Sequence, residues 1–222
     1  MNSVLPNITL DRGKSPLHSI IWLHGLGADG GDFVPVAEEM SLPVAMRYIF
    51  PHAPKRPVTI NGGFVMRAWY DITSAEIHAQ QDEKGIRASQ FEIEKLIQQE
   101  KQRGVKAENI FLAGFSQGGA IVLQTGLRYP EKLGGILALS TYLPLAESLE
   151  KEGSQAAKST PVFMGHGRSD PIVPYSLGKS SANKLLDLGY HLDWREYVMP
   201  HSVCMEEVSD IATWLGQRLK QG

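Results

Sequence analysis

The sequence predicts an α/β fold, a mostly parallel central sheet flanked by helices with no large cap domain. Short apolar runs alternate with longer amphipathic ones along the whole chain. Most of the short runs are apolar throughout, as strands buried on both faces must be. With 222 residues and neither an internal repeat nor a low-complexity linker, residues 1–222 read as one domain.

The predicted strands are, in order, SIIWL (19–23), MRYIF (46–50), NIFLAG (109–114), GILALS (135–140), PVFMG (161–165) and DWREYV (193–198). Between the second and third, Ile93, Leu96 and Ile97 mark the apolar face of a long helix running to about Gly104. A further helical run, SANKLLDLG, precedes the last strand. Val208, Ile211, Ala212, Leu215 and Leu219 give a final helix its apolar face. The stretch 51–73 fits neither period and reads as an irregular insertion.

Composition removes several classes of partner. The formal net charge is −2 and the 22 Lys and Arg are scattered, with Lys55 and Arg56 the densest basic spot, which argues against nucleic acid. No apolar run approaches the ~20 residues of a membrane-spanning helix, so stable membrane insertion is not expected. A single cysteine, Cys204, cannot form an intramolecular disulfide, and the amino terminus lacks the layout of a signal peptide. A cytoplasmic location is the expectation.

The stretch GFSQGG (114–119) stands where the strand NIFLAG gives way to an apolar helical run. A G-x-S-x-G of three fixed positions is weak alone, and a glycine-rich turn with an incidental serine would look the same. At a strand-to-helix turn the pattern acquires a mechanism: the serine sits in a strained conformation at the tip, its Oγ raised above the sheet. Side chains at Gly114 or Gly118 would collide with the neighbouring strand or helix.

A serine hydroxyl needs a base, and the base an orienting acid. In such a fold the acid and the histidine follow the serine in that order. His191 opens a strand and His166 ends one, whereas His201 lies in the loop MPHSV beyond the last strand. Among the later acids, Asp187 sits in a helical run and Asp193 and Glu196 on a strand. Asp170 falls on the loop GHGRSDPIV after a buried strand, where an Asp capping the next turn would also fit. Ser116, His201 and Asp170 are therefore the candidate nucleophile, base and acid. Two backbone N–H groups should face the developing oxyanion: that of Gln117, and that of Leu26 in the glycine-rich loop HGLGADGGDF (24–33). His24 with Asp29, and His166 with Asp170, invite a metal reading, but no three-ligand cluster at a recognised spacing appears. Both histidines are expected to be hydrogen-bonded scaffolding. Cys204 is expected to be buried and inert, and Glu206 and Glu207 to occupy exposed or first-turn positions of the last helix.

The blocks HGLGADGGDF, FPHAP, MRAWYDI, GFSQGGA, HGRSDPIVP and MPHSVCMEE occur in the order in which they stand in the phospholipase/carboxylesterase family of α/β-hydrolases. The chain resembles that family, which includes bacterial carboxylesterases and acyl-protein thioesterases, over nearly its whole length. The resemblance implies the same triad, Ser116, Asp170 and His201, and the same oxyanion donors, Leu26 and Gln117. It also implies a substrate groove lined from the loop holding Met66, Trp69 and Tyr70 and from STYLP around Leu143. Phe64, in the same loop, is expected to pack an acyl chain with Met66 and Trp69, and the alternative for Trp69 and Tyr70 is core packing.

The expected activity is cleavage of carboxylic esters with short to medium acyl chains through an acyl-enzyme. Thioesters of acylated proteins and lysophospholipids are further substrate classes, and neither a metal nor an organic cofactor is required. Two alternatives belong beside it: a catalytically silent binding protein of the same fold, and a peptidase of that fold. The segment 141–160 is too short to form the large cap that peptide selection requires.

Overall fold

A computed structural model describes residues 4–74 and 80–219. Seven strands form the central sheet in the order β1-β3-β2-β6-β7-β8-β9. They are β1 (Asn7–Arg12), β2 (His18–Leu23), β3 (Met46–Pro51), β6 (Ile110–Phe115), β7 (Gly135–Leu139), β8 (Val162–Gly167) and β9 (Leu192–Tyr197). Only β1 runs antiparallel, pairing Asn7 with Pro51 and Arg12 with Met46. Strands β4 (Lys55–Val58) and β5 (Phe64–Arg67) make a separate antiparallel hairpin. The helices are α1 (Val34–Glu39), α2 (Glu83–Gln102), α3 (Gln117–Gly126), α4 (Leu149–Glu152), α5 (Tyr175–Asp187) and α6 (Met205–Leu219).

All six expected strands are present, and two expectations need correction. The first is β1, a seventh strand outside the six expected: it is a mostly solvent-facing edge, so NITLDR carries no continuous apolar signal. The second is the stretch 51–73. It is not irregular but holds the β4–β5 hairpin, joined by a turn in which Gly62 and Gly63 both take positive φ.

The sheet separates two apolar layers. Ile21 and Leu23 of β2 face a layer completed by Ile86, Ile93, Leu96 and Ile97 of α2, Ile121 and Leu123 of α3, and Leu185 of α5. Ile20 and Trp22, one residue out of phase, face Ala37 of α1 and Ile211, Trp214 and Leu215 of α6. Each large apolar side chain so enclosed contributes about 1.5–3 kcal/mol. Every residue of α3 is buried, because the helix lies between the sheet and α2. The Asp82 carboxylate starts α2 by accepting the Gly85 N–H at 2.9 Å.

Chain direction fixes where a site can form. From β2 the chain moves outward to β3, then returns to place β6 on the other side of β2 and continues through β7, β8 and β9. The reversal opens a crevice beyond the carboxyl ends of β2 and β6. The loop after β2 carries residues 24–33, and β6 runs straight into Ser116.

Candidate active site

Ser116 stands between β6 and α3 with φ 55° and ψ −120°, a left-handed backbone that a serine adopts only under constraint. The constraint is visible on both sides. A Cβ on Gly114 would lie 2.4 Å from the Gly118 carbonyl oxygen, and one on Gly118 would lie 2.5 Å from the carbonyl oxygens of both Leu23 and His24. Strand, turn and helix therefore touch through bare backbone. The Ser116 N–H donates to Leu139 O at 2.8 Å, and the Thr141 hydroxyl donates to Ser116 O at 2.6 Å. The first backbone bond of α3 joins Ala120 N to Ser116 O, so the Gln117 N–H stands ahead of the helical ladder.

Asp170 and His201 meet from separate loops. His201 Nδ1 donates to Asp170 Oδ2 at 2.7 Å, which leaves Nε2 as the nitrogen able to accept a proton. The other carboxylate oxygen accepts the N–H groups of Ile172 and Val173 at 2.8 and 2.9 Å, fixing the plane of the group. Asp170 is only 7% exposed, and its capping role and its bond to His201 coexist on different oxygens. Phe115, the residue before the serine, packs on the His201 ring with centroids 4.7 Å apart. Phe115 ends β6 and Thr141 follows β7, and neither carries a sequence signal for the site until the fold brings its partner to it.

His24 and His166 are both held within the scaffold. The Nδ1 of His24 donates to Gly25 O at 2.7 Å while Nε2 accepts the Ala53 N–H at 3.1 Å, so both ring nitrogens are occupied by protein. Burial pushes the His24 pKa down, which suits a neutral ring in this arrangement. His166 donates from Nε2 to Val173 O at 2.9 Å and stacks on Trp194, and burial likewise lowers its pKa. Among the described residues no group of three or more His, Cys, Asp or Glu is gathered as a metal site.

The loop after β2 lies against the serine: a Cβ on Gly25 would fall 3.6 Å from Ser116 Cβ. Leu26 is half-buried between Gly25 and Gly27, and the Gly27 N–H donates to Arg67 O at 2.9 Å. The residues expected to line a groove divide. Phe64 is 68% exposed at the hairpin and Met66 is half-buried beside Gly27. Leu143 is itself 4% exposed and packs in the core, reaching only the edge of a cleft of about 480 Å³ that Leu145, Ala146 and Leu177 also border. Trp69 and Tyr70 are 0% and 2% exposed and belong to the core, so neither offers a wall to a surface groove. That corrects the expectation, and the cause is hydrogen bonding as much as packing. The Trp69 indole donates to His24 O at 2.9 Å, and the Tyr70 hydroxyl is bonded to that of Tyr142 at 2.8 Å.

One expectation about the start of α6, that Cys204 is buried, is also corrected. Cys204 is half-exposed and directly precedes the helix, its carbonyl accepting the Val208 N–H at 3.0 Å. Glu206 is exposed and Glu207 lies in the first turn, as expected of them, yet Glu207 is wholly buried, with no partner for either carboxyl oxygen.

A family model described as phospholipase/carboxylesterase matches residues 9–219. The chain belongs to the phospholipase/carboxylesterase family. Acyl-protein thioesterase 1 of Yarrowia lipolytica is 38% identical, the match covering 97% of this chain and 98% of that one. Acyl-protein thioesterase 1 of Neurospora crassa is 40% identical over 90% of this chain and 86% of its own length. Among solved structures, Arabidopsis thaliana SOBER1 superposes with a TM-score of 0.86 at 33% identity, covering 91% of this chain and 99% of that chain. Zea mays acyl-protein thioesterase 2 gives 0.83 at 28% identity, covering 96% and 99%. This member of the family is a hydrolase with the α/β-hydrolase fold and no large cap. None of its described helices is long and apolar enough to cross a membrane.

Proposed function

We propose that this protein is a serine hydrolase of carboxylic esters and thioesters, with Ser116 as nucleophile, His201 as base and Asp170 as the acid that orients the base. The observation that carries the reading is the 2.7 Å bond from His201 Nδ1 to Asp170 Oδ2, formed between two loops at the same end of the sheet as the strained Ser116 turn. In the reaction His201 Nε2 takes the Ser116 hydroxyl proton as Oγ adds to the acyl carbonyl. The N–H groups of Leu26 and Gln117 receive the charge that develops on the carbonyl oxygen. Collapse of the tetrahedral intermediate breaks the bond to the alcohol or thiol, which takes the proton from His201. Water, deprotonated by the same histidine, then releases the acid and restores Ser116.

Names of relatives support thioesters as well as esters, since the matched proteins include acyl-protein thioesterases and, at 34% identity, a probable carboxylesterase of Oryza sativa. Acylated proteins are thus one substrate class of this reading. With Trp69 and Tyr70 inside the core, acyl-chain contact falls to exposed Phe64 and half-buried Met66 beside the loop that holds Leu26. The cleft beside Leu143, where Leu145, Ala146 and Leu177 stand among polar residues such as Glu83 and Lys184, offers a second, partly apolar surface. Such open surfaces favour short to medium chains.

The test is labelling with a fluorophosphonate followed by peptide mapping, beside a panel of p-nitrophenyl esters and acyl thioesters of increasing length. Labelling at Ser116, abolished in Ser116→Ala together with turnover of the panel, is the expected result. Undiminished turnover by Ser116→Ala, or a label on another residue, would remove the nucleophile assignment.

A further inference from the structure

The two oxyanion donors come from positions about ninety residues apart in sequence, and the sheet alone does not set their separation. Strands β2 and β6 are paired up to Leu23 opposite Gly114, but Leu26 and Gln117 both lie beyond the last rung. Among the described residues, four hydrogen bonds tie the two loops to one segment, residues 67–70. The Trp69 indole N–H donates to His24 O at 2.9 Å, and Gly27 N donates to Arg67 O at 2.9 Å, so Leu26 is bracketed from both sides by one segment. The same segment is gripped by Gln117 itself. The Gln117 side-chain oxygen accepts the Trp69 backbone N–H at 2.8 Å, and its amide nitrogen donates to Tyr70 O at 2.8 Å. That pairing admits one orientation of the amide, as in a rung of a β-ladder. Trp69 O accepts the Ser89 hydroxyl from α2, so every polar group of Trp69 is engaged in a fully buried position.

We propose that Trp69 and the side chain of Gln117 are positioning residues for the oxyanion hole, with residues 67–70 acting as the strut that sets the distance between the Leu26 and Gln117 N–H groups. The proposal rests on the reading of Ser116 as nucleophile and of these two N–H groups as donors. The physical reason is rigidity. An N–H donor stabilises the transition state only if it already points at the oxygen, and reorientation during reaction would consume the benefit. Where Gly118 meets the His24 carbonyl, the two loops approach through bare backbone with no side chain between them, so a shift of one backbone displaces the other. A tryptophan buried between them with every polar group bonded removes that freedom.

Two variants separate the strut from simple packing. Trp69→Phe keeps an aromatic ring in the core and deletes the donor to His24 O; Gln117→Leu keeps the backbone N–H and deletes both amide bonds. With p-nitrophenyl acetate, kcat/KM is expected to fall roughly 10–100-fold in each, carried by kcat, with KM within about threefold of wild type. The inhibition constant of an aryl trifluoromethyl ketone, which adds to the serine as a tetrahedral oxyanion, should rise by the same factor as kcat/KM falls. Because both variants cut one strut, the double variant should lose little more than the worse single one.

Wild-type kcat/KM in both folded variants overturns the proposal. So does a loss expressed in KM alone, or a loss that leaves ketone affinity unchanged. If Trp69→Phe does not fold, Gln117→Leu carries the test; failure of both to fold assigns these bonds to stability and also overturns it. A wild-type protein that neither reacts with fluorophosphonate at Ser116 nor binds the ketone would instead overturn the nucleophile assignment on which the proposal stands.

Discussion

Replacing Glu207 by glutamine should make the protein's stability less dependent on pH, and the structure gives the size of the change. The Glu207 side chain lies between α6 and β8: a Cβ on Gly165 would sit only 2.0 Å from Glu207 Oε1. Neither carboxyl oxygen has a hydrogen-bond partner, and the residue is 0% exposed. Burial, aided by the Asp210 charge one turn further along α6, pushes its pKa up from 4.5 to about 8. Tyr197 of β9 borders the same space, but its hydroxyl donates to Asp210 rather than to Glu207. The unfolded chain releases this proton near pH 4.5 and the folded one only near 8. Between those values the folded state holds the extra proton, so rising pH favours unfolding by about 1.4 kcal/mol per unit. Over that interval the swing reaches roughly 5 kcal/mol as an upper bound. The first turn of a helix favours an anion by about 0.3–2 kcal/mol, which opposes the shift and brings the expected swing to about 3 kcal/mol. Urea unfolding at intervals from pH 5 to 8.5 measures it, because every other titrating group is common to the two proteins. Relative to wild type, Glu207→Gln should be neutral or slightly less stable at pH 5, where its buried amide lacks partners. It should then gain steadily up to pH 8. A difference that stays constant to within about 0.5 kcal/mol across the range would refute the reasoning, since the charge would then cost the fold nothing.

Two further outcomes follow from the geometry. Asp170→Asn keeps an oxygen for the N–H groups of Ile172 and Val173 but presents an NH₂ to His201 Nδ1, moving the imidazole proton to Nε2. Ester hydrolysis should fall by roughly 10⁴-fold in kcat with the thermal midpoint little changed, and a loss below about tenfold would remove Asp170 from its role. Glu152 is held by Arg87, Arg128 and Ser148 with its pKa lowered to about 2, so its contribution is present above pH 4.5 and disappears as pH falls through 2. Its side chain is 32% exposed and screened by water, and Glu152→Gln should therefore cost about 1 kcal/mol at pH 7, in urea unfolding, and less below pH 4.5.

How far the sequence reveals this molecule depends on whether one residue's chemistry points to one environment. The central strands β2, β6, β7 and β8 are legible because they are enclosed on both faces and leave few positions for polar residues. Ser116 is legible because bare backbone contacts at Gly114 and Gly118 restrict those positions to glycine, which leaves a spacing that can be read. Strand β1 is not, since an edge facing water tolerates NITLDR as readily as a loop would. Trp69 is the harder case. Its size announces burial, its neighbours Met66 and Phe64 face outward or halfway, and nothing in MRAWYDI says that the indole N–H will find the His24 carbonyl forty-five residues back. A large amphipathic side chain can be a wall or a strut, and only its distant partner decides. Glu207 shows that the pattern can be right where the residue's chemistry misleads. Ile211 and Leu215 follow it at four-residue steps on the buried face of α6, so helical periodicity puts position 207 on the apolar stripe. A glutamate in the first turn of a helix is ordinarily solvated and favoured there by the helix dipole, which argues for the surface. Burial wins because the position on α6 is fixed by packing of the whole helix against the sheet, where several apolar side chains outweigh one carboxyl. The carboxyl then answers by keeping its proton, the less costly response for an acid with no partner. An acidic residue in phase with an apolar stripe is accordingly a position to examine for a shifted pKa before it is set aside as surface.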